Sequence, residues 1–132
     1  MIRTVDTRFL IRHFTADTDD LKRRTREKIR ELQSESAIVP TIVIHELYRH
    51  QYQLLGRETA DVRFRLIVNS GFRVVDLDTG IARDAAELRC KYPRTPTADA
   101  IIAATAIRFK SFRVLTDDPH FQSIKEIKTE WV

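Results

Sequence analysis

Cysteine is almost absent from this chain. Cys90 stands alone among 132 residues, which excludes an intrachain disulfide and any zinc site assembled from several cysteines. Glycine is scarce too: Gly56, Gly71 and Gly80 are isolated from one another, so the chain has neither a phosphate-cradling P-loop nor a dinucleotide-binding glycine fingerprint. Three glycines and four prolines also exclude a collagen-like or Gly-rich linker composition. No long hydrophobic run occurs. The longest, Ala100 to Ile107, is about half a membrane span and is interrupted by Thr105. The first dozen residues carry Arg3, Asp6, Arg8 and Arg12, unlike a secretory signal. These absences lead to the expectation of a soluble, cytoplasmic protein without a membrane segment, with residues 1–132 as a single domain.

What is present suits a compact, helix-rich fold. Apolar residues make up 42% of the chain and charged ones 32%. A chain of this length buries roughly 65–70% of its unfolded surface, so it needs no covalent staple. Twenty-three Lys and Arg against nineteen Asp and Glu give a net charge of +4, which favours an anionic partner electrostatically, although solvated surface charge alone also accounts for it. The basic residues Lys22, Arg23, Arg24, Arg26, Lys28 and Arg30 crowd one segment, diluted by Glu27, Glu31, Asp17, Asp19 and Asp20.

Short β-type runs alternate with longer helical ones. Strands are expected at Ile2–Val5, Ala37–Val39, Phe72–Val75 and Phe112–Leu115, with a short last one within Ile127–Trp131. Between them, Phe9, Leu10, Ile11 and Phe14 recur at helical spacing, and Asp20 is positioned to cap a charged helix carrying Leu21, Ile29 and Leu32. Pro40 and Thr41 open a helix with Val43, Leu47, Leu54 and Leu55 near one face. Another starts near Thr59, carries Val62, Leu66 and Ile67, and stops at Gly71. Asp78 or Thr79 caps the next, which ends before Pro93. Thr97 caps the most apolar helix, Ala98–Phe109, and Asp117-Asp118-Pro119 reads as a turn. Strands separated by helices imply right-handed crossovers and a mostly parallel sheet with helices on both faces, an α/β fold.

In such a sheet, ligands collect beyond the carboxyl ends of the strands. Asp6 closes the first strand, Asp117 and Asp118 follow the fourth, Asp99 lies in the first turn of the Ala98 helix, and Glu46 lies one turn into the helix after the second strand. Each has an ordinary explanation as a helix cap, a dipole partner, a turn residue or a solvated charge. Together they point to one rim. Clustered carboxylates repel one another unless protonated or bound to cations, and hard divalent ions favour carboxylate oxygens. This reading leads to metal-dependent phosphoryl cleavage.

At these residues the sequence resembles the PIN-domain ribonucleases, and within them the VapC-type toxins of toxin–antitoxin pairs. The stretches carrying the likeness are Val5-Asp6-Thr7-Arg8-Phe9-Leu10-Ile11, Pro40 to Tyr48 around Glu46, Thr97-Ala98-Asp99 through Ala106, and Leu115-Thr116-Asp117-Asp118-Pro119-His120-Phe121. The resemblance implies a three-layer α/β/α fold with a five-stranded parallel sheet. It also implies endonucleolytic cleavage of RNA with Mg²⁺ or Mn²⁺, a small antitoxin partner and a homodimer. Asp6, Glu46 and Asp99 match the family's metal-binding acids. For the fourth acid, the family's Thr–x–Asp spacing fits Asp118 while Asp117 occupies the variable position. Thr7 and Thr116 match small polar residues that orient acids or water. The implied reaction is in-line attack of an activated water on a phosphodiester, leaving 5′-phosphate and 3′-hydroxyl ends, with the basic helix and Arg8 or Arg12 holding the RNA backbone. Arg8 stands where the family commonly has Asn, as an added phosphate contact, as a competitor for the metal, or pointing elsewhere.

Other readings fare less well. His45 and His50 are five residues apart, so on a helix they diverge by roughly 140° and miss the spacing of a zinc-protease motif. Asp76-Leu77-Asp78-Thr79-Gly80 follows a strand like a phosphatase nucleophile loop, but capping by Asp78 accounts for it better. A PIN fold that binds RNA or protein with little or no cleavage remains the alternative function. Leu54 and Leu55 suit either an interface or the core.

Overall fold

The computed structural model describes residues 2–132. The element order is β1 (Arg3–Val5), α1 (Thr7–Thr15), α2 (Asp19–Ser34), β2 (Ile38–Pro40), α3 (Thr41–Leu55), α4 (Arg57–Val68), β3 (Arg73–Val75), α5 (Thr79–Lys91), α6 (Thr97–Arg108), β4 (Arg113–Leu115), α7 (Pro119–Gln122) and β5 (Lys128–Glu130). The strands form one sheet in the order β3-β2-β1-β4-β5, with every neighbouring pair parallel. The register sets Val5 beside Leu115 and Pro40 beside Val75, so the carboxyl ends of these strands finish level.

Strand order locates the crevice. From β1 the chain crosses over α1 and α2 to β2 on one side, whereas from β4 it crosses over α7 to β5 on the other. Right-handed crossovers then place α1–α4 over one face and α5–α7 over the other, giving three α/β/α layers. The direction of winding reverses between β1 and β4, which opens a crevice beyond their carboxyl ends.

Burial follows from the composition of each element. All residues of β1 and β2 are buried, as expected of central parallel strands covered on both faces. Val5, Phe9, Leu10, Leu32, Ile38, Val39, Ile102, Val114, Leu115 and Phe121 form the inner core. Helix α6 buries Ala100, Ala103, Ala104 and Ala106 beside Ile102. Its small side chains let the backbone approach β1, β2 and β4.

Several local expectations are corrected. Thr18, not Asp20, caps α2, its hydroxyl accepting from the Leu21 amide at 3.2 Å; Asp20 instead pairs with Arg23 and Arg24. Thr97 does not cap α6: Pro96 occupies that position without a side-chain bond, and Thr97 is the first helical residue. Helix α4 starts at Arg57 rather than near Thr59, because Gly56 at φ 91° both ends α3 and begins α4, a conformation open to glycine. The same helix ends at Val68, before Gly71. The Asp117–Pro119 turn continues into α7, with proline at its start. Leu54, Leu55, Val62 and Leu66 are all about half exposed, so the outer faces of α3 and α4 are apolar without covering the core. Asp78 caps α5 by accepting from the Ile81 amide at 2.8 Å.

Candidate active site

The crevice is a cleft of about 650 Å³ whose walls include Asp6, Thr7, Arg8, Glu46, Asp99 and Asp118. Each acid arrives by a separate local device. Asp6 leaves β1 as the N-cap of α1, its Oδ1 accepting from the Thr7 amide at 2.8 Å. Asp118 caps α7, accepting from the His120 amide at 3.0 Å, and Asp99 sits in the first turn of α6. Three of the four therefore stand at helix N-termini, where the helix dipole favours negative charge. Glu46 projects from α3. The capping explanation of Asp6 holds, Asp118, expected as a turn residue, is a helix cap as well, and both side chains also line the cleft.

Two threonines tie the acids together. Thr116 Oγ1 donates to Asp6 Oδ2 at 2.6 Å and accepts from the Asp118 amide at 3.0 Å. Thr7 Oγ1 donates to Glu46 Oε1 at 2.7 Å. Thr7 and Thr116 are themselves buried, so these contacts fix carboxylate orientation away from competing water.

The electrostatics are unbalanced. Asp6 is 2% exposed and Asp99 9%. Among the described residues no lysine or arginine pairs with Asp6, Glu46, Asp99 or Asp118. Burial pushes the Asp6 carboxyl up to about 6 against the opposing bonds from Thr116 and Thr7, with repulsion from Glu46 and Asp118 adding to the rise. Burial pushes Asp99 up to about 7, reinforced by Asp118, Asp6 and Glu46 and opposed by His120. Uncompensated, desolvated carboxylates of this kind suit a hard divalent cation. The donor set fits such an ion.

His120 was not singled out as a site residue by sequence reasoning. Its Nδ1 lies 2.9 Å from Asp118 Oδ1 and 3.5 Å from Asp99 Oδ2, and Asp99, Asp118 and His120 offer ligand atoms all within 4.8 Å of one another. Its place two residues after Asp118, beyond a proline that starts a helix turn, was the available signal. Arg49 was missed as well. It shares with His45 and Gln53 a stripe at i, i+4 and i+8 along α3 that lines the cleft. His45 and His50, unsuited to a joint zinc site, both line the cleft separately.

The remaining sequence candidates separate. Asp117 lies outside the cleft lining and accepts from Arg8 Nε at 2.5 Å, while Asp118 faces the acids. Arg8 lines the cleft, whereas Arg12 is exposed and does not line it. The basic helix α2 contributes no residue to the cleft, and much of its charge is spent on Asp20, Glu27, Glu31 and Glu130.

The parallel α/β sheet gathers four carboxylates at its switch point, an arrangement whose donors suit a divalent cation. The sequence model of the PIN domain matches residues 3–127, and the chain belongs to the PIN domain family. No curated protein matches it. Among solved structures it is similar to VapBC2 from Rickettsia felis bound to a promoter DNA fragment, at 17% identity and TM-score 0.80, covering 100% of this chain and 99% of that one. It is also similar to DNA-bound VapBC from Salmonella typhimurium, at 23% identity and TM-score 0.77, covering 99% and 98%. A third is Mycobacterium tuberculosis VapC20, a Sarcin-Ricin loop cleaving toxin, at 15% identity and TM-score 0.74, covering 92% and 94%. At these identities the likeness shows the fold.

Proposed function

We propose that the chain is a Mg²⁺- or Mn²⁺-dependent endoribonuclease acting as the toxin of a toxin–antitoxin pair. The observation that carries this reading is the set of four carboxylates on one cleft, two of them buried with no lysine or arginine partner among the described residues. Asp6 and Asp99 would hold the principal ion. Asp118 completes the shell, with His120 against it. Glu46, one oxygen engaged by Thr7, has the other available to orient the attacking water. When bound, the ion supplies positive charge for the phosphoryl group and acidifies water. Cleavage would leave 5′-phosphate and 3′-hydroxyl ends.

RNA as substrate is supported by the family and by the named activity of the Mycobacterium tuberculosis neighbour. An antitoxin partner is supported by the neighbours that are VapBC complexes. A surface suited to a partner exists: an apolar groove of about 770 Å³ between α3 and α4, lined by Tyr48, Tyr52 and Phe64, which shares His45, Arg49 and Gln53 with the acid cleft. Exposed Leu54 and Leu55 beside it would also suit a homodimer.

Induced synthesis in a bacterial host tests the toxin reading. Wild type is expected to arrest growth and generate discrete RNA fragments, and Asp99→Asn to do neither. Equal arrest by both proteins would exclude the acid centre as its cause. A folded wild type that leaves growth and RNA intact would favour a binding module.

A further inference from the structure

The acid cleft has a long cation at its own edge. Arg8, near the start of α1, lines the cleft with Asp6, Asp99 and Asp118, and its side chain is 53% exposed. Its guanidinium nevertheless pairs with none of them. Nε instead donates to Asp117 Oδ1 at 2.5 Å, and Asp117 does not line the cleft. The pair joins the two segments that deliver Asp6 and Asp118, because Arg8 follows Asp6 by two residues and Asp117 immediately precedes Asp118.

An arginine beside uncompensated carboxylates has an obvious alternative partner. The guanidinium presents donors in a fork that matches a carboxylate, and it would balance the charge that a metal ion otherwise balances. Asp117 offers it a competing acceptor at the rim, closer to water and outside the donor set. An exposed pair of this kind contributes little to fold stability, so its consequence lies in where it leaves the guanidinium. We infer that Asp117 is a positioning residue that holds Arg8 at the rim of the cleft and keeps its guanidinium from occupying the cation place among Asp6, Asp99 and Asp118.

The inference rests on the reading of the cleft as a metal centre, and its test needs no RNA. Mn²⁺ affinity is measured by titration calorimetry for wild type, Arg8→Gln, Asp117→Asn and the double variant, with circular-dichroism melts checking the fold of each. Charges acting at a distance change affinity by factors that multiply, whereas a side chain that moves when its partner is removed makes the two changes non-additive. Asp117→Asn is expected to weaken Mn²⁺ binding about tenfold when Arg8 is present, a size typical of residues that support metal ligands. In the Arg8→Gln background the same change should have little effect. Equal factors in both backgrounds would overturn the inference, leaving Asp117 to act through its own charge. Absence of Mn²⁺ binding by wild type would overturn the metal-centre reading and this inference with it.

Discussion

At the scale of single residues, the site depends on hydroxyls as much as on acids. Thr116 touches both Asp6 and Asp118, so Thr116→Val removes the contact that sets their relative orientation while keeping the shape. Groups that orient metal ligands are typically worth about 10–100-fold in affinity or activity, and a loss in that range is expected in Mn²⁺ titrations. An unchanged affinity would show that the two aspartates are held by their backbones alone. The raised carboxyls also make metal-free stability depend on pH. Asp6 and Asp99 bind their protons more tightly folded, up to about 6 and about 7, than at the ordinary carboxylate value near 4. Their contribution is therefore greatest at low pH and is lost as pH rises through those values. His13, whose imidazole is held down by burial first and by Arg26 and Arg63 next, opposes this trend equally in any variant that leaves it in place. In EDTA, the melting temperature of wild type should fall more steeply between pH 5 and 8 than that of Asp99→Asn, and Mn²⁺ should restore more of it at pH 8. Parallel pH profiles would contradict the uncompensated burial of Asp99.

At the scale of elements, helix caps position the acids and also stabilise the fold, and the two effects can be separated on α5. Asp78 caps that helix and is absent from the acid cleft. Asp78→Ala should cost about 1 kcal/mol in urea denaturation without altering Mn²⁺ affinity; a changed affinity would couple the cap to the site. At the opposite end of the sheet, Arg3 on β1 donates to Glu35, Glu31 and Glu130 at 2.7–2.8 Å, joining α2 and β5 to the central strand. Arg3→Ala leaves Glu35 and Glu130 partly buried without that partner and should destabilise by about 3 kcal/mol. The elements were largely legible in the sequence, since strands and helices differ in apolar period and β1, β3 and β4 are each followed by an aspartate that caps the next helix. The caps themselves were less legible. Thr18, Asp19 and Asp20 are adjacent capping types, and only the backbone φ and ψ at Thr18 decide among them.

At the scale of the whole molecule, the order of the strands converts scattered sequence into a site. Asp6, Glu46, Asp99 and Asp118 are distant in the chain, but Asp6 and Asp118 follow strand ends, Asp99 lies in the first turn of α6 and Glu46 one turn into α3, and the crevice rule gathers them from sequence alone. The same rule cannot resolve neighbours within a turn, so Asp117 and Asp118 separate only when Arg8 is seen to take the former. Nor does it reach His120 or Arg49, whose relevance depends on side chains meeting across α6, α7 and α3. The apolar face of Leu54, Leu55, Val62 and Leu66 was visible as pattern, but its exposure depended on how α4 folds back at Gly56. Light scattering of the isolated chain should return about twice its 15.4 kDa mass, falling to one copy on Leu54→Lys with Leu55→Lys; a monomeric wild type would contradict the homodimer.

The central claim is that these carboxylates form a metal centre that cleaves RNA, and cleavage of end-labelled RNA by the purified protein tests it most directly. Wild type and Asp99→Asn are each incubated with Mg²⁺, Mn²⁺ or EDTA across structured and unstructured RNAs. Discrete cuts with 5′-phosphate ends are expected from wild type in either metal and none in EDTA, with loss of more than about 100-fold in Asp99→Asn, as when a charge-stabilising group is removed. Cleavage that persists in EDTA, or that survives undiminished in Asp99→Asn, would contradict it.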